Sequence, residues 1–511
     1  MSYYALSNPL CRILDKTPNN FTRNDLIGVI EKKNIERITF HYTALDGKLK
    51  ELKIPVTGRP IAERILAEGE RVDGSSLFKG LVDTGLSDLY VVPEYRTAFL
   101  NPFDDCSLDF ICRYLGPDGE PAPFAMDNVL HSAYELFKKN CGMELHAMGE
   151  LEFYLLSRDE ESIYHASKQK GYHASAPFIK SGPILNEMMR HIAQITGAVK
   201  YAHSEVGYVE HVFSQSDEIR GRQGEQLEIE FLPRPITDAA DHLVLARWLI
   251  RNIAHRNGCV ATFAPKIEEG VAGSGLHVHM ELIKNGKNIM RNAQAELSDE
   301  AKKVIGGLCT YADTLTAFGN TTAASYLRLV PDQEAPTRVC WSDLNRSAMI
   351  RVPLGWSKIH NLARRLNPNE AALGEVLSNA QTIELRTPDG SALIHLLMAG
   401  ITMAAEWGLS NKESLQRAES LYVKGNIFKD KELLAKLPSI PRSCVESSQI
   451  MDEKREFYQR KNIFPPSVID YVTKLLRAEN DEIMNKSLSE LPPDERLSET
   501  RKIMHKDLHR H

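Results

Sequence analysis

The sequence predicts an α+β protein, a small β-rich N-terminal domain followed by a larger domain in which strands alternate with helices. Three observations predict it. Short β-type runs fill the first 120 or so residues, helical periodicity begins near Asn128, and after Ser410 the chain becomes polar and mostly helical.

Taken in order, ITFHYTAL, LKIPV and DLYVVPEY read as N-terminal strands, and the turn-rich LGPDGEPAPF reads as a boundary. This divides the 511 residues into 1–121 and 122–511, as expected for a chain too long for one small domain. NVLHSAYELFKKN opens the second part as a helix. The clearest helix is DAADHLVLARWLIRNIAHRNG, where Ala240, Val244 and Trp248 form one row and Leu245, Leu249 and Ile253 the adjacent one. Asp238 is the expected N-cap and Gly258 the expected stop. The basic end, RKIMHKDLHRH, reads as a surface appendage.

Composition is that of an ordinary globular protein with a formal net charge of −6, which favours neither nucleic-acid binding nor an acidic disordered class. The eight cysteines are scattered without a C-x-x-C pair, as suits reduced thiols in the cytoplasm. The first residues lack a signal-peptide pattern, and the most apolar run, 396–405, stops at Glu406, so no membrane segment is expected.

The strongest chemical signal is charge at every second position of apolar strands. Residues i and i+2 share a strand face. GELEFYLL therefore groups Glu150 with Glu152 and turns Leu151, Phe153 and Leu155 to the core. EQLEIEFLP does the same with Glu228 and Glu230, GLHVHMEL with His277, His279 and Glu281, and QTIELRTPD with Glu384 and Arg386. In one strand such alternation marks a solvated face. Four strands carrying Glu, His and Arg in place of Lys, Thr and Ser point elsewhere, because crowded carboxylates repel one another unless cations lie between them. Carboxylates with an imidazole suit Mg²⁺ or Mn²⁺ better than structural zinc. Arg328, Arg338, Arg346 and Arg351 add planar forks suited to phosphate and carboxylate. The set fits phosphoryl transfer from a nucleotide onto a carboxylate. No P-loop and no G-x-G-x-x-G following a strand is present, which argues against Walker and Rossmann sites.

These strings, with VDGSS, SDLYVVPE, HSEVG, ATFAPK, AGSGLHVH, LRLVPDQEAP, NRSAMIRVP and IELRTPD in this order along nearly the whole chain, resemble the glutamine synthetase family, closest to its long prokaryotic type. The resemblance implies a β-grasp-like N-terminal domain and a catalytic domain whose curved antiparallel sheet forms a funnel surrounded by helices. It implies ATP-dependent ligation of ammonium to the γ-carboxylate of glutamate through γ-glutamyl phosphate, giving glutamine, ADP and phosphate, in a homododecamer of two hexameric rings.

By the same resemblance one divalent cation would sit on Glu152, Glu205 and Glu228, and another on Glu150, His277 and Glu384. His279, Arg346 and Arg351 would contact phosphate, while Arg328, Arg386 and the backbone of Gly273 would bind glutamate. Asp73 would bind and deprotonate ammonium, and Glu334 would close over the substrate. Glu225, Glu228 and Glu230 remain alternatives for one ligand, because an insertion separates them from Glu205. Ala272, Thr382 and Glu281 depart from the family pattern, where Asn, Arg and Ser are common. Two other readings are a γ-glutamyl ligase for an organic amine, which Asp73 disfavours, and a non-catalytic relative, which the intact ligand and arginine positions disfavour.

Overall fold

The computed structural model describes residues 3–158, 164, 166–330, 335–355, 362–371 and 381–510. Its N-terminal sheet consists of β1 (Arg37–Thr43), β2 (Leu49–Pro55), β3 (Glu70–Asp73), β4 (Asp88–Pro93), β5 (Phe99–Leu100) and β6 (Ser107–Leu115). The order is β2-β1-β6-β4-β3, with β5 on β6 and one parallel pair, β1 with β6. The three N-terminal strand runs expected from sequence are β1, β2 and β4.

The second sheet contains β7 (Glu144–Ser157), β8 (Val199–Val209), β9 (Gln223–Phe231), β10 (Arg234–Pro235), β11 (Val260–Thr262), β12 (Leu276–Lys284), β13 (Lys287–Asn288), β14 (Trp341–Asp343), β15 (Ile350–Val352) and β16 (Ile383–Leu385). Its main path is β14-β15-β16-β12-β7-β9-β8. Helices cover one face of this curved sheet. The pairs are antiparallel, as expected, except at the edge, where β14 and β15 run parallel.

Alternation decides which face is covered. Leu151, Phe153, Leu227, Ile229, Leu276, Val278, Ile383 and Leu385 are fully buried in the main core. Against them lies the Ile236–Arg256 helix, whose Leu245, Leu249 and Ile253 are buried as the row predicts. It starts two residues before Asp238, after Pro235, with no side-chain cap. Asp238 lies within the first turn and accepts from Arg96 at 2.8 Å, which ties the helix to the N-terminal sheet. Gly258, at φ +69°, follows the helix end as expected.

The apolar run near residue 400 is part of the buried Ile394–Ser410 helix. This helix approaches Asp299–Thr310 so closely that a Cβ on Gly307 would lie 2.1 Å from the Ala404 carbonyl oxygen. Among the described residues no helix is long and apolar enough to cross a membrane. All eight cysteines are free thiols.

The tail overturns its reading as an appendage. Leu508 is 6% exposed and packs in a small apolar cluster with Ile267, Val271 and Val212, while Met504 is buried. Arg510 and Lys506 both reach Glu479. The basic charges suggest a surface segment, but Met504 and Leu508, set among them, turn inward.

Candidate active site

The exposed-looking faces of β7, β9, β12 and β16 line one cavity of about 1340 Å³. Register brings their charges together: Glu150 stands opposite His277 on one side and Glu230 on the other, Glu152 faces Glu228, and Glu384 pairs with His279 and Arg351. Of the residues expected from sequence, Glu150, Glu152, Glu205, Glu228, Gly273, His277, His279, Arg328, Arg346, Arg351, Glu384 and Arg386 all line it.

His277 Nδ1 is 2.8 Å from Glu150 Oε2 and 3.5 Å from Glu384 Oε1. These three side chains offer ligand atoms within 4.8 Å of one another, close enough together for a divalent cation to be shared among them. Burial opposes the charge on Glu150, but His279 and His277 outweigh it and hold its carboxyl well below the usual range. Glu384 is held low as well, where burial is offset by His279, His277 and Arg386.

A second group consists of His203, Glu205 and Glu228. Burial, then the charges of Glu152 and Glu228, pushes Glu205 up to about 8. Burial together with Glu150 and Glu152 lifts Glu228 to about 7 despite its bond to His203. His203 rises to about 9, because Glu228 and Glu205 outweigh the cost of burying its charge. Carboxylates that keep protons near neutrality lack sufficient positive charge around them, and a hard divalent cation fits this donor set.

Of the three alternatives, Glu228 and Glu230 line the cavity and Glu225 does not. Glu225 accepts from the amides of Lys180 and Ser181 at 2.9 Å, fixing the entry to the Gly182–Thr196 helix. Glu230 stays in the cavity, within ligand distance of Glu150 and Glu228, and is paired with Lys200 at 2.6 Å. Glu152 accepts from Gly275 N at 2.7 Å and from Gln226.

The basic wall is equally organised. Arg351 donates to Glu384 Oε2 at 2.9 Å and Arg386 to Glu384 Oε1 at 3.1 Å. Arg328 lies under the loop at Gly273, where a Cβ would come within 3.1 Å of its Cγ and 2.4 Å of the Pro265 carbonyl oxygen. Thr382, one of the departures, bonds His279 Nδ1 at 2.9 Å, while Glu281 accepts from Asn288. Ala272 is held through its backbone, its carbonyl by Tyr154 at 2.7 Å and its amide by Gln169.

Sequence reasoning missed His203 and Tyr172, both cavity residues, the latter hydrogen-bonded to Arg346. His203 alternates with Glu205 on β8 and was findable by the i, i+2 rule, whereas Tyr172 sits in a coil without periodicity.

Asp73 does not line this cavity. It ends the edge strand β3, exposed, accepting from Ser76 Oγ at 2.6 Å and Ser75 Oγ at 2.7 Å, and these bonds lower its carboxyl to about 2. Glu334 lies outside the described residues.

Fold and cavity together place the chain among α+β proteins with an acidic, arginine-walled cavity on one face of a curved sheet, a donor set suited to divalent cations and to phosphate or carboxylate groups. The family model of the glutamine synthetase catalytic domain matches residues 128–490, and that of the glutamine synthetase β-grasp domain matches 34–117. The glutamine synthetase of Aquifex aeolicus is 28% identical over 91% of this chain and 96% of its own length. That of Pyrococcus horikoshii is 30% identical over 78% of both chains. Two solved structures share the fold: Plasmodium falciparum glutamine synthetase, with TM-score 0.72 and 22% identity over 91% of this chain and 97% of that one, and ligand-free GmaS, with TM-score 0.71 and 21% identity over 93% and 98%. The chain belongs to the glutamine synthetase family.

Proposed function

We propose that this chain ligates ammonium to the γ-carboxylate of glutamate at the cost of ATP, with γ-glutamyl phosphate as intermediate. The observation that carries the proposal is the register that gathers Glu150, His277 and Glu384 beside Glu152, Glu205 and Glu228 in one cavity walled by arginines. A carboxylate is a poor acceptor for an amine. Its oxygen attacks the terminal phosphate of ATP, ADP leaves, and ammonia then displaces phosphate from the acyl carbon.

Each group has work in this scheme. Arg328, Arg386 and the Gly273 backbone hold glutamate with its γ-carboxylate toward the phosphate. Arg346, Arg351 and His279 spread the charge that builds on the transferred phosphoryl oxygens. Glu150, His277 and Glu384 would hold one Mg²⁺ or Mn²⁺, and Glu152, Glu205 and Glu228 with His203 nearby another. When bound, such ions neutralise phosphate oxygens and orient the carboxylate. Ammonium is a cation without a lone pair, so Asp73 must attract it and take its proton. Glu334 would close over the acyl phosphate and exclude water.

Asp73, exposed on an edge strand and absent from its own chain's cavity wall, supports a site completed by a neighbouring subunit, as in a closed ring of heterologous contacts. Two stacked hexameric rings in the cytoplasm are the proposed assembly and location.

The test is phosphate release from ATP with glutamate, comparing ammonium with methylamine and putrescine. Ammonium is expected to give by far the highest kcat/KM. A higher value for an organic amine would replace this reading with that of an amine ligase.

A further inference from the structure

We infer that the C-terminal segment, residues 493–510, clamps the glutamate-binding loop, with Arg501 and His505 as positioning residues. The inference rests on the proposed role of Gly273 in holding glutamate.

The loop from Pro265 to Gly275 is closed at its neck by Ser274 N donating to the Pro265 carbonyl at 3.0 Å. Its inner limb faces the cavity, where Gln226 donates to the Gly273 carbonyl at 3.0 Å and Gly275 N to Glu152. Its outer limb, Ile267 to Glu269, does not line the cavity, and there the tail grips it. Arg501 Nε donates to both oxygens of Glu268, at 2.9 and 3.1 Å, and Glu268 is 8% exposed. His505 Nε2 donates to the Ile267 carbonyl at 2.8 Å, and Arg496 pairs with Glu269 at 3.0 Å. Below these contacts Leu508 packs with Ile267 and Val271 of the loop, and its carbonyl accepts from Thr262 at 2.9 Å.

The tail itself is anchored. Lys506 reaches Glu479 at 2.7 Å, and Glu479 in turn accepts from the Ala323 amide at 2.9 Å. The insertion after Glu205 joins the same assembly, with Phe213 under the Arg501 guanidinium at 4.8 Å and Glu218 bound to His509. The insertion and the tail therefore meet on the outer limb of one substrate loop.

The consequence is mechanical. A small loop held only by its neck and inner limb can shift, and a shift of a group that holds the substrate weakens substrate binding. The tail fixes the outer limb by a nearly buried ion pair, a backbone hydrogen bond and an apolar contact. Without Arg501 the Glu268 carboxylate keeps its burial but loses its only cationic partner among the described residues, retaining the Glu269 amide alone, so the loop moves to rehydrate the charge.

The test uses the full-length enzyme with Arg501→Gln and Arg501→Lys. Arg501→Gln is expected to raise the KM for glutamate about tenfold while the KM for ATP stays within about twofold, since only glutamate binding is touched. Arg501→Lys, which keeps the charge, should restore most of the difference. Hydrogen exchange in the 265–275 peptide should accelerate in Arg501→Gln. An unchanged glutamate KM, or an equal rise for ATP, overturns the clamp. If Arg501→Gln does not fold, His505→Phe, which removes the bond to Ile267, must show the same glutamate-selective rise, and its absence is equally fatal. A wild-type enzyme without glutamate-dependent turnover would refute the proposed reaction, while the exchange comparison would still decide whether the tail holds the loop.

Discussion

Glu205 and Glu228 keep their protons near neutrality because each is buried beside other carboxylates, and this has a measurable sign. Their carboxyl groups lie at about 8 and about 7 against an ordinary 4.5, and the His203 imidazole at about 9 against 6.5. A folded-state pKa raised above its unfolded value gives stability that is complete below the unfolded value and is lost as pH rises through the folded one. The metal-free protein should therefore melt at lower temperature as pH rises from about 6 to about 9, and saturating Mg²⁺ should flatten that trend. Mn²⁺ affinity should rise over the same window, by up to about tenfold per pH unit for each proton displaced. Titration calorimetry in buffers of different ionisation enthalpy measures the released protons. Affinity independent of pH would mean that these carboxylates are not the ligands.

At the scale of elements, the N-terminal sheet is tied to the catalytic helices by a buried polar network. Arg113 on β6 donates to Asp241 at 3.1 Å and Asp127 at 3.3 Å, and His395 lies 3.0 Å from Asp241. Asp241→Ala would take from His395 its carboxylate and leave Arg113 only Asp127 and Glu94, and it is expected to cost about 3 kcal/mol, read from chemical denaturation. A loss under about 1 kcal/mol would show that the remaining partners compensate.

Much of the sheet was legible because its chemistry repeats at period two: Glu150 and Glu152, Glu228 and Glu230, and His277 and His279 each declare a face by alternating with residues that are buried. What the sequence could not show depends on contacts between distant segments. Asp238 has the composition of a cap but lies inside a helix that starts after Pro235, where it pairs with Arg96. The parallel pairing of β14 with β15, the partnership of Arg501 with Glu268 and the approach of Tyr172 to Arg346 leave no periodic trace.

At the scale of the whole molecule, the separation of Asp73 from its own cavity makes complementation informative. Asp73→Ala and Glu150→Ala chains should each be inactive, yet random co-assembly should restore roughly a quarter of the sites if each site draws Asp73 from a neighbour. Properly mixed assemblies that stay dead would place both residues in one chain's site.

The reaction itself can be followed by oxygen. With glutamate labelled by ¹⁸O in its γ-carboxylate, and with ATP, Mg²⁺ and ammonium, one labelled oxygen should leave with the released phosphate for each glutamine formed, because that oxygen attacked the terminal phosphate. His277→Ala should abolish the transfer with folding intact. Phosphate released without label, or at a rate indifferent to glutamate, would contradict the account.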